Sequence, residues 1–250
     1  MDADRGVPPI LQLEGVVAGY GAMIILHDIS FKVRRGTITT IIGPNGAGKS
    51  TVFKTVFGLL AARAGRILFD GVETTNALPR RLLKLGMCYI PQGRNIFPEL
   101  SVRHNLELGG IAAPPDIDVK ARIAAAMARF PLLERKADHQ ASTLSGGEQK
   151  LLEIARGLLL EPKLILIDEP SIGLSPIMAR QTFDILKDLK ARGASILMVE
   201  QNAKSALEIS DDGLALELGR ARLAEPAATM LADPRVGQLF LGGAMTGNAA

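Results

Sequence analysis

The segment GPNGAGKST at residues 43–51 restricts the possible folds of this chain more than any other stretch. It follows the apolar run ITTII and precedes a helical pattern in which Phe53, Val56, Phe57 and Leu60 fall at i, i+3, i+4 and i+7. A glycine-rich loop with the spacing G-x-x-x-x-G-K-[ST], between a strand and a helix, is typical of a phosphate-binding loop, or P-loop. The sequence therefore predicts an α/β fold built around this strand, loop and helix.

The residues of this loop have separate expected roles. Its glycines let the backbone wrap tightly, so that N–H groups and the helix N-terminus surround phosphate oxygens. We expect Lys49 to reach the β- and γ-phosphates of a nucleotide and the Ser50 hydroxyl to bind Mg²⁺. A chance glycine turn is the alternative, and the strand and helix on either side make it the weaker one. The predicted nucleotide contacts in this loop are Gly43, Pro44, Asn45, Gly46, Ala47, Gly48, Lys49, Ser50 and Thr51.

Two carboxylates end the apolar run LILI at residues 164–167. Open α/β sheets bind ligands at the carboxyl ends of their strands, where Asp168 and Glu169 would lie. Alone, such a pair would usually be a solvated loop. Together with the P-loop it predicts an ATPase site, in which Asp168 holds Mg²⁺ directly or through water. Glu169 would orient and deprotonate the attacking water.

Short apolar and β-branched runs predict strands along much of the chain. Their near-continuous apolar character, and the helical patterns between them, favour a mostly parallel sheet that is covered on both faces. The segment ISFKV at 29–33 alternates apolar and polar residues, which predicts an antiparallel strand with one buried face. The other predicted strand segments are 38–43, 66–70, 87–92, 163–170, 195–201 and 214–218.

Strand patterns are absent from about Gly93 to Pro162, where Ala-rich helical patterns such as DVKARIAAAMARF replace them. We interpret residues 93–162 as a helical subdomain inserted into a sheet protein, with a loop at APPD, 113–116. The predicted organisation is one domain over residues 1–242. Its core would comprise residues 10–92 and 163–241, and residues 243–250 would form a disordered tail.

Composition and charge argue against several classes of protein. The 29 basic and 26 acidic residues give a net charge of +3 and are interspersed, which argues against a nucleic-acid-binding surface. No apolar run approaches the roughly 18 residues that cross a bilayer. The acidic start MDADRG lacks the features of a secretion signal. The lone Cys88 excludes an intramolecular disulfide and fits a reducing compartment, so we expect a cytoplasmic protein.

A second possible anion site lies at LSGGEQ, residues 144–149. Ser145 and Glu148 match the S-x-x-E capping box, which predicts the start of a helix. Gly146 and Gly147 would leave the first helical turn without side-chain cover, so a phosphate could approach its N–H groups and the positive end of the helix dipole. The sequence thus predicts a capped helix and leaves phosphate binding at the same turn open.

A P-loop, LSGGEQ and LILIDEP in this order resemble the nucleotide-binding subunit of ABC transporters, over roughly residues 10–241. The resemblance implies an ABC-type P-loop NTPase fold with a RecA-like core, an antiparallel β subdomain and an inserted helical subdomain. It implies ATP and Mg²⁺ as cofactors. It also implies head-to-tail pairing with a second ATPase subunit, in which the signature of one chain closes over ATP held by the P-loop of the other. The implied signature contacts are Ser145, Gly146, Gly147 and Glu148.

Further residues and partners follow from the same resemblance. Tyr20 matches the aromatic residue that stacks on adenine, although a tyrosine in a glycine turn is more often structural. Gln92 matches the Q-loop glutamine, which senses Mg²⁺ and the attacking water and connects to the permease. Gln201 stands where most of the family has a switch histidine, and Ser175 stands where the D-loop usually has aspartate. The implied catalytic residues are Lys49, Gln92, Glu169 and Gln201, and the implied metal-binding residues are Ser50, Gln92 and Asp168.

The segments VEQNAKSALEISD, PSIGLSP and LADPRV look like the LivF-type ATPases of branched-chain amino acid importers, which carry glutamine at the switch position. This implies an ATPase subunit that works with two transmembrane permeases and, indirectly, an extracytoplasmic solute-binding protein. The chain would lie at the inner face of the cell membrane. Three alternatives stay open: a urea or amide importer, a soluble ABC ATPase without a transport role, and an ATP-binding regulatory module without turnover.

Overall fold

Two β-sheets form the core of the computed structural model, which describes residues 7–93 and 95–236. Within those residues the strands are β1 (Leu11–Tyr20), β2 (Met23–Val33), β3 (Ile38–Ile42), β4 (Ala62–Phe69), β5 (Val72–Glu73), β6 (Met87–Ile90), β7 (Leu164–Asp168), β8 (Ser195–Val199), β9 (Asp212–Glu217) and β10 (Arg220–Pro226). The helices are α1 (Lys49–Val56), α2 (Pro79–Leu85), α3 (Val102–Gly109), α4 (Val119–Arg129), α5 (Pro131–Arg135), α6 (Gly146–Leu158), α7 (Pro176–Ala191), α8 (Ala203–Glu208) and α9 (Ala227–Ala232).

The six-stranded sheet has the order β10-β9-β3-β8-β7-β6. Every pair from β9 to β6 is parallel, and β10 pairs antiparallel with β9 at one edge. All residues of β3, β7 and β8 are buried, as expected for strands covered on both faces. Leu164 and Leu166 pack with the cluster that contains Phe53 of α1, while Ile165 and Ile167 pack with the cluster that contains Phe183 of α7. The prediction of a mostly parallel, doubly covered sheet is confirmed.

The four-stranded sheet has the order β2-β1-β4-β5 and is antiparallel throughout. The segment ISFKV forms the second half of β2, in agreement with its alternating pattern. Sequence patterns did not identify β1, β5 or β10. The two glycines of β1 and its irregular register obscure its period, and β10 has no residue buried enough to show an apolar face. Several predicted strands also end earlier than expected, and Pro91, which cannot donate to a ladder, follows β6 directly.

Four α-helices, α3 to α6, lie between β6 and β7 and share an apolar cluster centred on Leu106, Leu133 and Leu152. Besides the loops that join them, this region has a short 3₁₀ helix at Ala141–Thr143 and an isolated bridge between Ser101 and Gln140. The segment 113–116 lies in the connection between α3 and α4, where a loop was expected. The fold is therefore α/β, with antiparallel-sheet and helical parts beside the parallel core.

Two further expectations from the sequence concern the C-terminal tail and the lone cysteine. The expected tail at 243–250 lies outside the described residues. Cys88 is a buried thiol of β6, and its burial raises its pKa to about 12. Among the described residues, no helix combines the length and the apolar character that crossing a membrane would need.

Candidate functional site

A cleft of about 490 Å³ lies beside the residues that follow β3, β7 and β8. Parallel strands end at the same edge of a sheet, so these three loops come together although they are far apart in the sequence. The volume is in the range of small-molecule sites. The residues that line the cleft are Tyr20, Ile25, Asn45, Gly46, Gly48, Lys49, Ser50, Thr51, Gln92, Glu169, Ile172 and Gln201.

The loop between β3 and α1 has the geometry of an anion site. Gly48 is the N-cap of α1 with φ 101°, and no side chain caps the helix, so the N–H groups of its first turn have no side-chain acceptor. Gly43 approaches another strand closely, since a Cβ there would lie 2.2 Å from the Leu216 carbonyl oxygen. Of the contacts expected from the sequence, Gly43, Pro44 and Ala47 are not among the lining residues of the cleft.

Lys49 is held against its own loop. Its Nζ donates to the carbonyl oxygens of Gly43 and Pro44, at 2.8 and 3.1 Å, and the residue is only 6% exposed. Burial lowers the pKa of Lys49, and the carboxylates of Glu169 and Asp168 oppose this shift. The ammonium group therefore lies within the loop, close enough to Glu169 and Asp168 to feel their negative charge.

Asp168 is the last residue of β7 and is 2% exposed. Its Oδ2 accepts a long hydrogen bond from the Tyr89 hydroxyl at 3.5 Å, and the Ser50 hydroxyl lies close enough to help lower its pKa. Its Oδ1 is buried with no hydrogen-bond partner in the described part of the chain. Burial raises the pKa of Asp168, an effect that Ser50, Tyr89 and Lys49 oppose.

An unpartnered, buried carboxylate oxygen is costly unless a cation or donor compensates it. Asp168 and the Ser50 hydroxyl together offer the kind of oxygen donors that Mg²⁺ takes when it uses few protein ligands and keeps its others for phosphates and water. The two side chains therefore fit a magnesium ion. Gln92, the third residue that the resemblance assigned to the metal, instead donates to Glu169 in this structure.

Glu169 follows directly and adopts φ 48°, in the left-handed region that non-glycine residues rarely occupy. Its N–H donates to the Val199 carbonyl at 2.9 Å, and its Oε2 accepts from Gln92 Nε2 at 2.8 Å. Burial raises the pKa of Glu169, the negative charge of Asp168 raises it further, and Lys49 opposes both. A strained backbone and a carboxylate with a raised pKa are typical of a functional base.

Glu200 is a site residue that sequence reasoning missed. It is 1% exposed, and its two oxygens accept from the backbone N–H groups of Ser171, at 2.8 Å, and Gln201, at 3.0 Å. It thereby ties the loop after Glu169 to the loop after β8. A glutamate directly after an apolar strand was the available signal, but only its neighbour Gln201 was identified.

We expect Glu200→Gln to lower the free energy of unfolding by about 1–3 kcal/mol, because one amide oxygen replaces two acceptors and one N–H group beside this buried side chain loses its partner. Denaturant titration of both proteins measures the difference. Glu208→Gln, an exposed change on α8, is the matched control and should stay within about 0.5 kcal/mol of the wild type. Equal stability of the two variants would contradict this account of Glu200.

Ser145 caps α6 through both halves of the predicted capping box. Glu148 N donates to Ser145 Oγ at 3.4 Å, and Ser145 N donates to Glu148 Oε2 at 2.8 Å. The two glycines differ from expectation, because only Gly146 leaves the turn open. A Cβ on Gly146 would meet nothing within 4 Å, whereas one on Gly147 would overlap the side chain of Met178 in α7.

The turn at residues 144–149 that begins α6, here called the signature turn, does not share the cleft of the P-loop. None of residues 144–149 lines that cleft in the described chain. The structure also places Tyr20 and Ser175, the two remaining residues singled out in the sequence. Tyr20 lies at the end of β1, 46% exposed, with Lys54 Nζ 5.8 Å from its ring centroid. Ser175 caps α7 by accepting from Met178 N at 3.4 Å, and Pro176 follows as the first helical residue.

Comparison with protein families gives one match over more than half of the chain. Residues 26–172 match the family described as ABC transporter. The segment includes the P-loop, LSGGEQ and the two carboxylates at the end of β7.

Two curated relatives match almost end to end. A high-affinity branched-chain amino acid transport ATP-binding protein, BraG of Pseudomonas aeruginosa, is 38% identical over 234 residues, which are 94% of this chain and 100% of that protein. A probable branched-chain amino acid transport ATP-binding protein, LivF of Archaeoglobus fulgidus, is 39% identical over 90% of this chain and 95% of that protein. Among solved structures, an ATP-binding cassette of an ABC transporter has a TM-score of 0.85 at 31% identity, covering 94% of this chain and 100% of its own.

Proposed function

Because the chain belongs to the ABC transporter family, we propose that it is the ATP-hydrolysing subunit of a bacterial importer of branched-chain or other hydrophobic amino acids. The observation that carries the proposal is the cleft at the carboxyl edge of the parallel sheet. It brings the P-loop together with Gln92, Glu169 and Gln201. A phosphate site, a candidate base and polar groups that could meet a γ-phosphate thus lie in one place, as phosphoryl transfer to water requires.

The P-loop and the first turn of α1 bind the phosphates in this proposal. Their N–H groups and the positive end of the helix surround the phosphates, and Lys49 exchanges its loop carbonyls for β- and γ-phosphate oxygens. Tyr20 stacks on the base at the rim of the cleft. Asp168 and Ser50 would hold Mg²⁺, and the Gln92 side-chain oxygen, which its hydrogen bond to Glu169 does not use, could join them. The ion would supply positive charge against the phosphates.

Hydrolysis depends on Glu169. Its carboxylate orients a water molecule for attack on the γ-phosphate and accepts a proton from it, while Gln92 holds the carboxylate in place through Oε2. Gln201 donates a hydrogen bond to the γ-phosphate and cannot titrate near neutral pH. Glu200, the residue before it, holds the loops that carry Glu169 and Gln201 together through its two backbone hydrogen bonds.

A second ATPase subunit completes each site in this proposal. The open turn at Gly146 lies outside the chain's own cleft and presents a capped helix N-terminus, which suits it to the nucleotide held by a partner. Closure of the pair would drive two permease subunits, which receive cargo from an extracytoplasmic binding protein. The chain would thus lie peripherally at the inner face of the cell membrane.

The names of the relatives support branched-chain amino acids as the cargo and do not favour urea. The test is uptake of labelled leucine and labelled urea by cells whose only copy carries Lys49→Ala. Lys120→Ala, which removes an exposed lysine of α4, serves as the matched control and should leave uptake intact. Selective loss of leucine uptake is expected. Selective loss of urea uptake would assign the chain to a urea importer, and loss of neither would overturn the proposed cargo.

A further inference from the structure

A buried ion pair on α6 has no role in the proposed mechanism. Lys150 is 6% exposed and Glu153 is 3% exposed, and Lys150 Nζ lies 2.6 Å from Glu153 Oε2. Neither residue lines the nucleotide cleft. Since removing two charges from water costs several kcal/mol for each ion, such a pair is weak evidence for stability by itself. Its other contacts indicate what it does.

Both members of the pair hold the loop that follows Gln92. Glu153 Oε1 accepts from the backbone N–H of Asn95 at 2.5 Å, and Lys150 Nζ donates to the Gly93 carbonyl at 3.5 Å. Arg156, one turn further along α6, donates to the Asn95 carbonyl. Three charged side chains spaced three residues apart thus bind the loop backbone from one side of the helix.

The loop in turn connects to the candidate base. Asn95 Nδ2 donates to the Pro91 carbonyl at 3.0 Å. This hydrogen bond joins the residues before and after Gln92. Gln92 Nε2 donates to Glu169 Oε2 at 2.8 Å. Contacts at Gly93, Asn95 and Gln92 therefore connect Lys150 and Glu153 to the carboxylate that would activate water.

We propose that Lys150 and Glu153 are positioning residues that set Gln92 against Glu169, and that α6 thereby links its own signature turn to the hydrolysis site of the same chain. The inference rests on the proposed ATPase function. Helix α6 begins at Gly146, beside the turn that would meet the partner's nucleotide, and continues without a break to Leu158. A shift of its first turn therefore carries Lys150 and Glu153 with it, and the loop follows.

Two double variants distinguish a positioning role of the Lys150–Glu153 pair from a purely structural one. Lys150→Met/Glu153→Leu replaces the pair by apolar groups of similar size, which is often neutral or stabilising for a buried pair. However, a leucine at position 153 cannot accept a hydrogen bond from the Asn95 N–H. Lys150→Met/Glu153→Gln also removes both charges but keeps an amide oxygen as the acceptor. Asp184→Asn/Lys187→Met, which removes an exposed pair on α7, is the control.

The measurements are denaturant midpoint, affinity for a non-hydrolysable ATP analogue, and kcat and KM for phosphate release in complex with the permeases. For the leucine variant we expect a slightly lower midpoint, because the Asn95 N–H loses its acceptor, with unchanged affinity and KM. We expect its kcat to be lower by roughly 10- to 100-fold because the base is misplaced. The glutamine variant should recover most of kcat, and the control should match the wild type.

Each failure has a distinct reading. A wild type without phosphate release would overturn the proposed ATPase function itself. A wild type that turns over beside an equally active leucine variant would overturn only the positioning role. A midpoint so low that much of the leucine variant is unfolded under assay conditions, or a loss of nucleotide affinity in parallel with kcat, would also overturn it, because the pair would then be structural. A glutamine variant as slow as the leucine variant would show that the Asn95 hydrogen bond is not the connection.

Discussion

Glu169→Gln is expected to reduce ATP hydrolysis by roughly 10²- to 10⁴-fold, the usual contribution of a positioned general base. Glutamine has nearly the same shape and can still occupy the left-handed backbone position at φ 48° as glutamate does. Its amide oxygen can still accept from Gln92 Nε2, so the loop keeps its contact. The amide cannot take a proton from water at neutral pH, so chemistry stops while ATP remains bound.

Steady-state phosphate release, assayed with the permeases, and equilibrium binding of ATP together measure this effect. Glu161→Gln is the matched control, since Glu161 also has a positive φ, at 47°, but pairs with Arg122 away from the cleft. It should hydrolyse ATP at the wild-type rate. A Glu169→Gln protein that keeps a third or more of wild-type turnover would remove Glu169 as the base. A wild type that binds ATP but releases no phosphate would favour a regulatory module instead.

Gly146→Asp is expected to lower hydrolysis by roughly 100-fold or more while leaving nucleotide binding by the isolated chain unchanged. A side chain at this position meets nothing within 4 Å, and an acidic residue in the first turn of a helix is favourable, so the fold should tolerate it. The new carboxylate would stand where the partner's phosphate is expected. Placing like charges together across an interface costs several kcal/mol, which accounts for the size of the effect.

The control for this variant is Ser142→Asp, which adds the same charge at an exposed position of the neighbouring 3₁₀ helix. Phosphate release with the permeases, and ATP affinity of the isolated chain, are measured for both. Normal turnover in Gly146→Asp would show that the signature turn does not meet a phosphate. A loss of ATP affinity in the isolated chain would instead place this turn at the chain's own nucleotide.

Local sequence was sufficient where chemistry depends on a few neighbouring residues. The P-loop could be identified because its glycines, lysine and serine act within one turn of backbone, and α1 begins at Lys49 as the pattern requires. The Ser145 capping box could be identified for the same reason. The strands of the parallel sheet were visible because they are buried on both faces and therefore carry continuous apolar runs.

Local sequence did not predict the roles of residues whose hydrogen-bond partners are distant in the chain. Glu200 accepts from a backbone group 29 positions away, and Glu153 accepts from one 58 positions away. Nothing in the local pattern separates Glu153 from a glutamate in contact with water, and for Glu200 the one local signal is its place directly after an apolar strand. Gly147 was expected to expose its helical turn, yet Met178 fills that space, because α7 packs against the start of α6.

The sequence by itself therefore determined the P-loop, the acidic pair at the end of β7, the capped signature helix and the α/β class, since each follows from backbone conformation or burial encoded within about ten residues. Only the tertiary structure decided that Gln92 donates to Glu169, that Glu200 joins two loops, and that the Lys150–Glu153 pair holds a third. Those contacts depend on the order and register of the parallel strands and on how α6 packs beside them. Hydrogen bonds between such distant segments are set by the three-dimensional arrangement, and no local periodicity records them.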